Sequence, residues 1–159
     1  MKRQFHINLF INSRGHHEAS WRHPRSTPRP LTDVRYYIDC AQKAEAAHFD
    51  SIFLADVLNI PEDIDRSARV WLEPLTTLGA LAVTTSRIGL IATASTTYTE
   101  PFNLARQFAS LDHASGGRAS CSTPEIHEPS ARQIPCQARS SHKSARHRRQ
   151  QTMWRQVSI

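Results

Sequence analysis

No stretch of the sequence approaches the ~18 apolar residues that a membrane-spanning helix needs, so no membrane segment is expected. Lys2 and Arg3 could begin a signal peptide, yet QFHINLFINSRGHH breaks off before an apolar segment of adequate length. Cysteine is scarce. Cys40, Cys121 and Cys136 are too few and too scattered for a disulfide framework, and their odd number points to reduced thiols. The expectation is a soluble, cytoplasmic protein. Also missing is a G-x-G-x-x-G after any apolar run, which lowers a dinucleotide-binding reading. H-E-x-x-H and C-x-x-C are missing too, and no metal site is expected.

Acidic residues run short in one region only. The formal charge of +6 divides into +1 for residues 1–120, from 13 Lys/Arg and 12 Asp/Glu, and +5 for residues 121–159, from 7 and 2. The body of the chain is therefore near neutral, and its charge says nothing about nucleic acid. At 159 residues the whole is long enough for one domain of average size.

What is there reads as alternating elements. QFHINLFIN (4–12) alternates Phe5, Ile7, Leu9 and Ile11 with polar neighbours, as a strand does. The proline-broken loop SRGHHEASWRHPRSTPRPL follows, too irregular for regular structure. Thr32 or Asp33 can cap a helix over 33–48, with Val34, Tyr37, Ile38 and Ala41 on one face. SIFLAD (51–56) is an apolar strand, and an irregular segment covers 57–72. EPLTTLGALAVTTS opens a helix with Pro74 in its first turn and Leu75, Leu78, Gly79 and Ala82 on one side. RIGLIATAS (87–95) is a third strand. EPFNLARQFASLDHAS is a helix with Leu104, Phe108 and Leu111 aligned, stopped by Gly116 and Gly117, and RAS begins a fourth strand.

This order predicts an α/β fold with a parallel sheet and right-handed crossovers, either a (β/α) barrel or an open doubly wound sheet. Periodicity does not separate the two. In both, ligands bind beyond the carboxyl ends of the strands, which directs attention to 12–31, 55–72 and 92–100. Asp56 ends the second strand, where it either caps a turn or holds a ligand. Thr93, Ser95, Thr96, Thr97 and Thr99 end the third, and serve either β-structure and capping or the polar groups of a cofactor. The first loop offers His16, His17, Trp21 and His23, with Glu18 as the one acidic neighbour. These residue types suit an inert solvated loop or an aromatic substrate mouth better than a metal. Cys121, His127, Cys136 and His142 contain soft ligands without ligand spacing.

INLFINSRGHHEASWRHP, DSIFLADVL and the long segment EPLTTLGALAVTTSRIGLIATASTTYTEPFNLARQFASLDHASGGRA closely resemble the bacterial luciferase-like flavin monooxygenases. The resemblance lies in the branch of nitrilotriacetate monooxygenase component A and the dibenzothiophene-sulfone and alkane-type monooxygenases, and covers residues 4–119. It implies a (β/α)8 TIM barrel that uses reduced FMN, supplied by a separate flavin reductase, and O2 to oxygenate a small organic substrate. It also implies that Asp56 and Thr93 contact FMN, and that GHHEASWRHP is the first active-site loop. No catalytic residue is assigned.

After SGGRA the family continues into a flavin-lining strand of the type Gly/Ser-Trp-Asn-x-Val-Thr-Ser, where this chain has SCSTPEIHEP. A complete barrel takes ~250 residues. The expectation is a truncated N-terminal part of the barrel, about three β/α units, over 1–119, followed by a basic tail of low order over 120–159. Of the 39 residues from 121 on, 20 are Ser, Arg, Gln or His and 11 are apolar, so neither helix nor strand periodicity is sustained. Two readings of the tail stand. One is translation out of frame to a premature stop, which the abrupt break favours. The other is a basic arm, through HKSARHRRQ, for nucleic acid or an acidic partner. On the first reading the chain is inactive alone. Its open sheet edges would then invite self-association into homo-oligomers.

Overall fold

The computed structural model describes residues 5–17, 19–56, 72–96 and 98–122. Strand β1 is Asn8–Phe10, helix α1 Val34–Ala46, β2 Ser51–Leu54, α2 Pro74–Thr84, β3 Gly89–Thr93, α3 Pro101–Ser115 and β4 Ala119–Ser122. The four strands form one sheet in the order β1-β2-β3-β4, every neighbouring pair parallel. That order separates the two architectures that periodicity left open. A doubly wound sheet reverses direction at a switch point, whereas here every crossover steps the same way, as in a barrel. Helix α2 packs beside α1 on one side and α3 on the other.

Each helix starts and stops for a local reason. The Asp33 side chain accepts the Arg35 N–H at 2.9 Å and caps α1, which ends before His48 in the left-handed region at φ 60°. Glu73 accepts the N–H groups of Leu75 and Thr76 at 2.9 and 2.7 Å, with Pro74 in the first turn of α2. Helix α3 ends at Gly116, φ 70°, where the Gly117 N–H returns to the Asp112 carbonyl at 2.9 Å. A close approach also favours glycine at the head of β3. A Cβ on Gly89 would lie 3.1 Å from Ser51 Cβ and 3.2 Å from the Asp50 carbonyl oxygen.

Parity along the strands sorts the two sheet faces. Leu9, Ile52, Leu54, Leu90 and Ala92 belong to the hydrophobic core, together with Leu78, Leu81, Leu104 and Phe108 of the helices. A fully buried leucine of this kind contributes about 1.5–3 kcal/mol. The alternate positions, Phe10, Phe53 and Ile91, form one row on the opposite face by register.

Several expectations change. β1 is shorter than 4–12: Leu9 and Ile11 pack on the core while Phe5 and Ile7 are exposed, so the alternation overestimates its length. The loop read as irregular contains a 3-10 turn, Ser20–Arg22. In α2, Leu78 and Ala82 are buried as expected and Leu75 packs on the core, but Thr77 and Leu81 belong to the buried face as well, and Leu75 and Gly79 also line a cavity beside α3. β4, expected to begin at RAS, runs over Ala119–Ser122 in parallel register with β3. The irregular segment 57–71 and residues 123–159, with the tail and its His127, Cys136 and His142, lie outside the described residues. Thr97 and Glu18 do as well.

Candidate active site

The carboxyl ends of β2 and β3 deliver the two residues singled out there. Thr93 is the last residue of β3, opposite Ser122 of β4, and only 8% exposed. Asp56 follows β2 by two residues and is half-buried. Both line one open cavity of about 760 Å³. Ser95 and Thr99 join them, Leu75 and Leu104 form its apolar wall, and Arg106 brings a positive charge. A volume of this size suits a cofactor or drug-sized ligand.

The turn after β3 is set by backbone bonding, with the Thr99 N–H donating to the Ser95 carbonyl at 3.1 Å. Glu100 stands before Pro101 as Glu73 stands before Pro74, yet its side chain makes no cap on α3. Glu73 thus caps α2, whereas Glu100 does not cap α3.

The loop after β1 is held in shape from below. The Tyr36 hydroxyl donates to the Ser13 carbonyl at 2.8 Å. Burial, and then the neighbouring Cys40, raise the Tyr36 phenol far above its ordinary value, so it remains a neutral latch. Ser13 and Gly15 both have positive φ, and a Cβ on Gly15 would meet Ser20 Oγ at 2.9 Å. His17 and His23 serve the loop itself, since their Nδ1 atoms accept the N–H groups of Ala19 and Arg25, each at 3.1 Å. His16 differs. Its ring meets Phe10 edge-on at 5.3 Å, and Phe10 packs on Phe53 at 5.1 Å, which places the imidazole at the carboxyl end of the inner row. Trp21 is 50% exposed, with the Arg22 guanidinium 4.8 Å from its ring centre. Among the described residues no three His, Cys, Asp or Glu side chains group as metal ligands. Burial pushes the Cys121 thiol up to about 11, so it is no thiolate at neutral pH.

Sequence reasoning missed Glu45, Asp50 and Arg118, which organise the opposite end of the sheet. Most of their partners lie 30 to 44 positions away, as for Arg118 with Ile88 and Asp50 with His6. No local pattern announces such bonds. What the carboxyl end can do is hold and orient a polar ligand between a carboxylate, buried hydroxyls and an aromatic edge.

The family model for luciferase-like monooxygenases matches residues 4–122. The chain belongs to the luciferase-like monooxygenase family, whose members are flavin-dependent oxidoreductases. It is 49% identical over 118 residues to N-acetyl-S-(2-succino)cysteine monooxygenase of Bacillus subtilis (strain 168), covering 74% of this chain and 27% of that protein. It is 40% identical over 129 residues to nitrilotriacetate monooxygenase component A of Aminobacter aminovorans, covering 74% and 28%. Among solved structures, EDTA monooxygenase from Chelativorans sp. BNC1 superposes with a TM-score of 0.77 at 28% identity, over 98% of this chain and 38% of that one. A riboflavin lyase crystallised with modified FMN and riboflavin does so with a TM-score of 0.73 at 26% identity, over 98% and 37%. The chain thus spans little more than a quarter of the curated relatives' length.

Proposed function

We propose that residues 4–122 are the flavin-binding beginning of an FMN-dependent, two-component monooxygenase barrel, and that Asp56 and Thr93 hold the flavin. The observation that carries this reading is their meeting on one cavity from the ends of two adjacent strands. The donor set suits the group: a carboxylate accepts from ring or ribityl N–H and O–H groups, and a threonine hydroxyl both donates and accepts. When bound, reduced FMN, delivered by a separate reductase, supplies the activation of O2 for oxygen transfer to a small organic substrate. The chain's own part is to orient that group through Asp56 and Thr93. The apolar wall at Leu75 and Leu104 excludes water around it.

We place the end of barrel-type sequence at Ser122, where β4 stops pairing, and treat residues 123–159 as lying outside the barrel. Exposed Val83 and Phe102, at 77% and 76%, support self-association through the outer helix faces. A cytoplasmic location accords with the observation that no helix among the described residues is long and apolar enough to cross a membrane. By this reading the 159-residue chain binds FMN weakly and oxygenates nothing alone, because two side chains hold the flavin from one side only. Mixing the purified chain with FMN, a flavin reductase and NADH should give uncoupled NADH consumption and no oxygenated product with nitrilotriacetate. Product formation would show that the chain is a complete enzyme and overturn the claim of inactivity.

A further inference from the structure

The sheet ends in two edges that match each other. Among the described residues it has four strands, and past Ser122 the sequence sustains no strand periodicity. β1 bonds to β2 through alternate residues. The Asp50 N–H donates to the Ile7 carbonyl at 2.9 Å, and the Ile11 N–H donates to the Phe53 carbonyl at 3.1 Å. The backbone groups of Asn8 and Phe10 therefore face the outer edge. On β4 the carbonyls of Arg118 and Ser122 accept from the Leu90 and Ala94 N–H groups, each at 2.9 Å, so Ala119 and Cys121 face outward. The Asp112 carboxylate takes the Ala119 N–H at 3.2 Å, which leaves the Ala119 carbonyl and both Cys121 groups at that edge. Such an edge is a template for another strand.

The inner face of the sheet is only partly covered by the described residues. Phe10, Phe53, Ile91 and Ser120 lie in one row by register. Phe10 is 37% exposed, Phe53 and Ile91 are half-buried, and Ser120 is exposed. Helices cover the opposite face, so what completes the inner row must come with strands of its own. About eight strands give a barrel whose interior is just filled by inward side chains, and two copies of this sheet supply eight.

We propose that two copies of this chain close one eight-stranded barrel, with β4 of each pairing in parallel with β1 of the other. The Phe10, Phe53 and Ile91 side chains of both copies then pack together inside. Symmetry favours this pairing over the others. A twofold axis along the barrel keeps all strands parallel and makes the two seams identical, so that no edge remains. Pairing β1 with β1, or β4 with β4, leaves two edges open to further copies. The proposal takes Ser122 as the end of barrel-type sequence and does not depend on flavin.

Sedimentation velocity and urea unfolding of the 159-residue chain over a range of concentrations test it. The particle should have twice the 18.0 kDa of one chain, and its unfolding midpoint should rise with concentration. Ser120→Lys should weaken the dimer at least about hundredfold, because closure would bury an unpaired charge from each copy. It should leave the far-UV circular dichroism unchanged, since Ser120 is exposed in the single copy, and Ser120→Thr should keep the dimer. If Ser120→Lys does not fold, Asn8→Lys serves with the same expectation, at the exposed start of β1 on the same face. Val83→Lys with Phe102→Lys, on the outer helix faces, should leave the two-copy particle intact and remove only larger assemblies. A monomer at every concentration, or a dimer that survives the folded inner-row lysine variant, overturns the proposal. So does a dimer abolished by Val83→Lys with Phe102→Lys, which would mean that the helices carry it.

Discussion

The two ends of the sheet handle charge in opposite ways. At the amino end Asp50, Glu45 and Arg118 are bonded to backbone. The Asp50 carboxylate takes the Ile7 N–H at 2.7 Å and the His6 ring at 3.2 Å. Glu45, from the last turn of α1, accepts the N–H groups of Ser86, Arg87 and Ile88 at 2.9, 2.5 and 3.0 Å. Arg118 donates to the carbonyls of Ser115, Ile88, Ala82 and Thr85, and to Thr85 Oγ1, at 2.7 to 3.1 Å. It thereby joins the ends of α2 and α3 to the heads of β3 and β4. At the carboxyl end the arginines of the longest loop form no ion pair among the described residues, and a carboxylate and buried hydroxyls face an open cavity. One end satisfies its polar groups internally and holds the fold. The other turns a carboxylate and hydroxyls toward a cavity, where barrels bind their ligands.

Variants at the two ends should therefore separate stability from binding. The largest expected effect is at Arg118. Arg118→Ala strands several part-buried acceptors at once and should cost about 3 kcal/mol in urea unfolding, because each lost partner leaves its desolvation cost behind. A cost below about 1 kcal/mol would show that the amino end is not the anchor.

A smaller loss is expected from Glu45→Ala, about 1 kcal/mol after allowing for solvent screening. It should also change the acid response. Burial raises the Glu45 carboxyl, but the amides of Arg87, Ile88 and Ser86 outweigh it and hold the group below its ordinary value. The Ile7 amide, and then His6, lower Asp50 in the same way. A carboxyl lowered in the folded state contributes stability above its ordinary pKa and loses it as pH falls through the folded value. Stability should thus decline below about pH 4, and less steeply in the Glu45→Ala protein. An unchanged acid limb would contradict the role given to Glu45.

The smallest effect belongs to the carboxyl end. Arg25→Ala should alter unfolding free energy by no more than about 0.5 kcal/mol, since the side chain is exposed and forms no ion pair among the described residues. A larger loss would mean that the loop arginines are structural.

This division explains what the sequence could tell. Helices α1 and α3 were legible because Asp33, Pro101 and Gly116 mark their limits and Leu104, Phe108 and Leu111 repeat at helical spacing. Asp56 and Thr93 were legible as positions, since each stands at the carboxyl end of an apolar strand. Their role came from the family resemblance, because a strand-ending carboxylate caps turns as readily as it binds ligands. The amino end was invisible. Glu45 and Arg118 look like ordinary surface charges until the fold brings their partners from 30 to 43 positions away. The buried face of α2 was legible in part: Leu78 and Ala82 are buried and Leu75 packs on the core, while Thr77 and Leu81 complete the face.

The central claim, that flavin binds at the carboxyl ends through Asp56 and Thr93, is tested most directly by adding FMN in excess to the labelled chain and following individual amides. The account predicts shifts at Asp56, Thr93 and Ser95, none at Glu45, Asp50 or Arg118, and loss of the shifts in a folded Asp56→Asn, Thr93→Val protein. Shifts centred on the amino end, or shifts that survive both substitutions, would contradict it.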